Sequence, residues 1–343
     1  MTSPSANRPE ATAHHGGDAQ LLDDPPIVRQ ELSWDRVVWK ARALALSPRV
    51  PFELRSRLLY WDRRRAWPTK VPTTFSQKLL YKMVHDRRPL LTTFADKVAV
   101  RDYVAGKVGP EVLTELYAVV PDPELLDPAG LPREFVVKPN HASSLVWIVA
   151  DWGPETPSIS SNSAVIPSGQ VTSDREHLDW DLLVTTCRRW LSVDYSDPTH
   201  EWAYRRVPRR ILVEELLGGR DGIPTDYKFF VFHGVARFVE VHSDRFGAHS
   251  AFFADRDWHQ VPLDIDFPIT DPPPPAPASL GRMVDMAERL GADTDFVRVD
   301  LYDLDGRVVF GELTNYPGGL SSSHYYPDAV GLGDYWTLPR RYR

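Results

Sequence analysis

Residues 296–314 hold the groups in this chain best arranged for phosphate chemistry. In 296–302, FVRVDLY, apolar and polar residues alternate, so a strand there turns Val297 and Val299 into a core and sets Arg298 and Asp300 together on the other face. The turn residues DLDG at 303–306 reverse the chain, and Glu312, twelve positions after Asp300, returns beside that aspartate in a hairpin. Adjacent carboxylates repel unless a cation bridges them or they share a proton. A magnesium pair bridging nucleotide phosphates fits, because magnesium takes a few carboxylates together with phosphate oxygens and water. An Arg298 ion pair on a solvated sheet face is the competing reading.

Two lysines sit where strands are expected. Lys138 closes the apolar run 135–137, and Lys228 lies inside DYKFF at 226–230. A lysine framed by apolar and aromatic residues is costly unless a phosphate or carboxylate meets it, although either could extend its head to solvent. The strand 211–217, ILVEELL, can present the carboxylates of Glu214 and Glu215 and its backbone to an adenine edge.

These residues need a scaffold of strands preceded by helices. Residues 1–30 are rich in Pro, Ser, Ala, Gly and Asp without apolar periodicity, which predicts a disordered tail. Helical spacing runs through 34–59 with a break at 48–51, then through 76–83 and 96–104. Strands are expected at 135–137, 146–150, 211–213, 227–232, 236–241 and 251–254, with helices at 177–192 and 280–290 and a surface insertion at 152–173. The domains that follow are a basic helical extension at 31–75, an N-terminal region at 76–130, a central lobe at 131–220 and a C-terminal lobe with the metal site at 221–343.

The 343 residues are 42% hydrophobic and 25% charged, a balance that fits two or three packed lobes. A net charge of −7 argues against a general nucleic-acid binder. No run reaches the roughly 18 apolar residues of a spanning helix, and no signal peptide stands out, so a cytoplasmic location is expected. The single cysteine, Cys187, excludes an internal disulfide and reads as a buried helical side chain. Residues 35–70 hold ten Lys or Arg against three acids, interleaved with Trp39, Trp61 and Trp67. That stretch reads as a helical face docked on the next domain, or else one resting on an anionic membrane or lipid-linked substrate.

Taken in order, ADKVAVRDYV at 95–104, FVVKPN at 135–140, EWAY at 201–204, ILVEELL, DYKFFVF at 226–232 and 296–318 resemble the TupA-like ATP-grasp family, over roughly residues 74–339. The resemblance implies an α+β ATP-grasp fold, two α+β lobes clamping ATP, and the cofactors ATP and Mg2+. It makes Lys97 and Lys138 phosphate-contacting lysines, and Glu214 or Glu215 with Leu217 the adenine hinge. Asp226 becomes the ribose ligand, Arg298 the residue stabilising the transferred phosphoryl group, and Asp300 and Glu312 the metal ligands, with Lys228 an added catalytic candidate. The reaction implied activates a carboxylate for attack by an amine, in cell-surface, peptide or specialised-metabolite assembly. A kinase or an inactive nucleotide-binding scaffold are the alternatives.

Two departures from the pattern are visible. The phosphate loop reads His141-Ala142-Ser143-Ser144 without glycine, so hydroxyls of Ser143 and Ser144 are expected to replace backbone donors. The third metal ligand, usually Asn two residues after the glutamate, is here Thr314; Asn315 serves only if a bulge turns it inward. His324, shortly after the metal strand, is a candidate for contact with the acceptor substrate. The P-loop, dinucleotide, nucleophile-elbow and zinc-protease templates are absent from the sequence.

Overall fold

The computed structural model describes residues 34–149, 159–160, 164–165, 177–178, 180–218, 224–243, 250–261, 268–320 and 331–342. The expected tail, nearly all of the insertion and His324 lie outside these residues. Five helices come first: α1 (Trp34–Leu46), α2 (Phe52–Arg64), α3 (Phe75–His85), α4 (Pro89–Ala95) and α5 (Ala99–Val108). Next are β1 (Leu116–Val120), β2 (Phe135–Pro139), β3 (Leu145–Val149) and the short β4 (Ile159–Ser160), β5 (Ala164–Val165) and β6 (His177–Leu178). The chain continues through α6 (Trp180–Ser192), α7 (Ser196–Thr199), β7 (Ile211–Glu214), β8 (Asp226–Phe232), β9 (Val235–Ser243) and β10 (Ser250–Asp255). It closes with α8 (Leu280–Gly291), β11 (Phe296–Leu304) and β12 (Arg307–Thr314).

The first sheet has the antiparallel order β1-β7-β2-β3-β5. Alternation along its strands sends Phe135, Val137, Trp147 and Val213 into a core against Leu183, Cys187 and Trp190 of α6. Burial pushes the Cys187 thiol up to about 12, in keeping with an inert core side chain. The opposite face carries Val136, Lys138, Ile148 and Glu214 toward a cleft. Strand β1, which precedes residue 131, pairs with β7 and belongs to this sheet.

The second sheet, β10-β9-β8-β11-β12, is antiparallel throughout. Val231, Val239, Val297 and Val299 fill one face beneath Met283, Ala287 and Leu290, which recur at helical spacing on α8. The other face is polar at its centre, where register aligns Glu312, Asp300, Lys228 and Glu240 across four strands. Toward the end of the same face the residues become aromatic. Phe230, Phe232 and Phe296 there meet Phe75 of α3 and Trp336, with the Phe75 and Phe296 rings edge to face at 5.1 Å. The basic extension therefore docks on the C-terminal sheet.

Candidate active site

A cleft of ≈ 220 Å³ opens between the two sheets. Val136, Val146 and Ile148 wall it from the first sheet and Tyr302, Phe310 and Leu313 from the second. Glu214 accepts from the Thr114 hydroxyl (3.2 Å) and pairs with Lys138; Arg101 in turn donates to Thr114 Oγ1 at 3.1 Å. Glu215 turns to the rim, where Arg307 binds it at 3.1 Å and links the sheets. Of Glu214 and Glu215, Glu214 is the one whose side chain bonds to Thr114 and Lys138 at the cleft.

Lys97, in the link between α4 and α5, lines the cleft and donates to the Ala142 carbonyl at 2.7 Å, which ties the 141–144 loop to that link. Burial lowers its pKa, while Glu312 and Glu214 act to raise it.

The hairpin forms as its spacing requires. Asp300 lies opposite Glu312, and Arg298 opposite Thr314. Arg298 grips Asp300 through Nε (2.7 Å) and Nη2 (2.6 Å), and also donates to Glu312 and to Thr314 Oγ1, each at 3.2 Å. Asp300 is 2% exposed and Arg298 8%, which excludes an ion pair on a solvated face. Gly311 is bulged between Glu312 and Phe310; a Cβ there would meet the Asp300 carbonyl and the Tyr302 ring at 3.0 Å.

Lys228 is buried in the same row, paired with Asp226 and, at 3.0 Å, with Asp300. The Lys228 ammonium bonds both carboxylates, and neither Lys228 nor Asp226 is among the residues that line the cleft. Farther along, His242 meets Glu240 at 2.9 Å; burial pushes the Glu240 pKa up, but His242, Arg298 and Lys228 outweigh it and hold it below the usual value.

Three other expected residues, Asn315, Ser143 and Ser144, have different surroundings. Asn315 donates to the Leu91 carbonyl at 2.8 Å, tying the end of β12 to α4, while Thr314 donates to Glu312 at 2.9 Å. No bulge turns Asn315 inward, so alternation leaves Thr314 beside the carboxylates. Ser143 hydrogen-bonds Tyr195, and Ser144 holds a left-handed φ of 62°; neither lines the cleft.

The donor set still suits magnesium. Glu312 lines the cleft with its side chain 38% exposed, and Asp300 lies directly across the ladder, giving hard oxygen donors. Among the described residues no three His, Cys, Asp or Glu gather as a metal site.

The model of the TupA-like ATP-grasp family matches residues 77–335. The chain belongs to that family. Its α+β architecture, with two antiparallel sheets flanking the cleft, is the ATP-grasp fold. None of the curated proteins matches the sequence. Among solved structures, D-alanine–D-alanine ligase from Helicobacter pylori is 13% identical, with 72% of this chain and 62% of that one covered at a TM-score of 0.34. The Bacillus anthracis D-alanine–D-alanine ligase complexed with ATP is 14% identical over 72% and 65%, with a TM-score of 0.38. D-cycloserine synthetase DcsG is 14% identical over 72% and 70%, with a TM-score of 0.35. The TupA-like protein thus spans about three fifths of the first of these ligases.

Of the residues the family pattern implies, Lys97, Lys138, Glu214, Glu215, Leu217 and Glu312 line the TupA-like protein's cleft, with Arg298 bonded to both Glu312 and Asp300. The sequence reading assigned no role to Arg101, Thr114, Glu201 or Tyr204. Thr114 and Arg101 come from separate segments that only the fold joins. Glu201 and Tyr204 sit in EWAY, where an acid among aromatic residues was the available signal. Burial and the Glu312 carboxylate push Glu201 up to about 8, against the pull of Lys97 and Arg298.

Proposed function

We propose that the protein is an ATP- and magnesium-dependent ligase that joins a carboxylate to an amine and releases ADP and phosphate. One observation carries this reading: Glu214, Lys138, Lys97 and Glu312 line a single cleft, with Arg298 clasping Asp300 beside Glu312. That set suits a nucleotide lying in the cleft. Adenine would sit between Val136 and Ile148 on one side and Phe310 and Leu313 on the other, its edge toward Glu214 and the Leu217 backbone. The phosphates would pass Lys138 and Lys97. Nucleotide entry then exchanges the Lys138–Glu214 pair for a lysine–phosphate contact.

Asp300 and Glu312 would hold magnesium, which when bound neutralises phosphate oxygens. A substrate carboxylate oxygen attacks the terminal phosphorus, the bond to ADP breaks, and an acyl phosphate forms. The amine nitrogen then attacks the acyl carbon; the carbon–oxygen bond to phosphate breaks, and the amine proton passes to solvent. Arg298 offers fixed positive charge to the transferred group, and its bidentate hold on Asp300 keeps that charge in place.

An acid substrate is supported by a second groove. Arg101 lines both the cleft and this groove, where Arg87, Arg206 and Arg210 gather alongside Asp96 and Asp102. Arg87 is braced over the Trp202 ring at 4.7 Å. The family pattern favours a cell-surface polymer, peptide or specialised-metabolite pathway. A coupled assay of ADP release over acids and amines tests the reading: release should require one acid and rise with one amine. ADP release indifferent to both would count against it.

A further inference from the structure

The helical extension shows a face of unusual composition. Among the described residues six of the ten exposed large apolar side chains fall within 39–71: Trp39, Leu44, Leu46, Leu54, Trp67 and Val71. The same stretch is strongly basic, in a chain of net charge −7.

Geometry sorts these residues into one surface. On α1, Ala41 and Ala45 turn inward, at 8% and 0% exposure, and Ala45 joins the aromatic core. On the opposite side Trp39, Ala43 and Leu46 recur at steps of four and three, flanked by exposed Lys40 and Arg42. Arg42 binds Asp62 of α2 at 2.8 Å, so the Trp39 end of α1 lies beside the C-terminus of α2. There Arg63, Arg64 and Arg65 follow one another, and Trp67, 56% exposed, stacks on Trp61 at 6.2 Å with Arg65 over the Trp61 ring. Trp39, Trp67 and a basic rim thus share one end of the helix pair, with Leu46 about two turns farther along the same side of α1. The family match begins at 77, so this surface lies outside the segment common to the family.

Water is a poor neighbour for such a face, and so is a second copy, whose identical cations would oppose these. An anionic bilayer meets both needs, because indole rings settle at the headgroup boundary while lysine and arginine pair with lipid phosphates. We propose that this face docks the protein on an anionic membrane surface, with Trp39, Leu46 and Trp67 entering the headgroup region. The docking is independent of the ligase reading and needs no nucleotide.

Sedimentation of the full chain with vesicles tests it. Vesicles of phosphatidylcholine with about one third phosphatidylserine should carry the protein down at low salt, and phosphatidylcholine alone should not. Lys40→Gln with Arg63→Gln, and separately Trp39→Ala with Trp67→Ala, should each weaken binding by about tenfold or more while melting temperature and ATP affinity hold. Trp39→Phe should retain most of the binding. Equal sedimentation with both lipids, or none with either, overturns the proposal. So does a dimer that Trp39→Ala dissociates, or vesicle binding that appears only after residues 1–28 are removed.

Discussion

At the scale of single residues, the site is a set of charges each held by another. Strand alternation alone made Arg298, Asp300 and their shared face readable, because a period of two fixes which side chains lie together. It also put Asp226 and Lys228 on one face, two residues apart, yet a strand pattern does not say which neighbour a lysine meets. The sheet decides that by setting Lys228 opposite Asp300. We propose that Lys228 positions Asp300. Lys228→Met should strand two buried carboxylates and lower stability by about 3 kcal/mol, whereas Lys228→Arg should keep most of it; thermal melts of both variants check this. Turnover should fall with Lys228→Met far more than ATP affinity does. Lys138→Ala removes a contact in the cleft itself, so calorimetry should find ATP binding weaker by roughly 1.5–3 kcal/mol. Unaltered ATP binding would make Lys138 only the partner of Glu214.

Among the elements, the hairpin of β11 and β12 and the strands β2, β7 and β8 were legible because apolar runs, alternation and turn residues agreed. Strand β1 was not: all five of its residues are half-buried at a sheet edge, and edge strands lack the sharp alternation of a covered face. Asn315 was open in the sequence for a different reason. A side chain one residue past a strand is placed by tertiary contacts, here with Leu91 of α4. Close packing also fixes Gly333, where a Cβ would stand 2.7 Å from the Thr73 carbonyl and 2.8 Å from the Phe75 nitrogen. Both contacts are backbone, so Gly333→Ala must push the start of α3 from its seat. A loss of about 1–3 kcal/mol should appear in denaturant melts, and an unchanged midpoint would mean that the 331–336 turn shifts freely.

On the scale of the whole molecule, Asp295 joins distant parts of the chain. It accepts from Lys82 of α3, from the Trp336 indole and from the Tyr342 hydroxyl, each at 2.7 Å. Burial alone would raise its pKa, but Lys82 and these hydrogen bonds outweigh it and bring it to about 2, from 3.8. Because the folded value is the lower one, the stabilisation is complete above pH ≈ 4 and disappears as pH falls through about 2; it is on the order of 2 kcal/mol. Asp295→Asn should flatten that acid limb of the stability curve. The central claim concerns the reaction, and its most direct test is to trap the intermediate. With ATP, magnesium and the correct acid, hydroxylamine should yield a hydroxamate together with ADP, and Arg298→Gln should suppress the hydroxamate while largely preserving ATP binding. A stable phosphorylated product without hydroxamate, ATP bound but never consumed, or release of AMP and pyrophosphate would contradict the account.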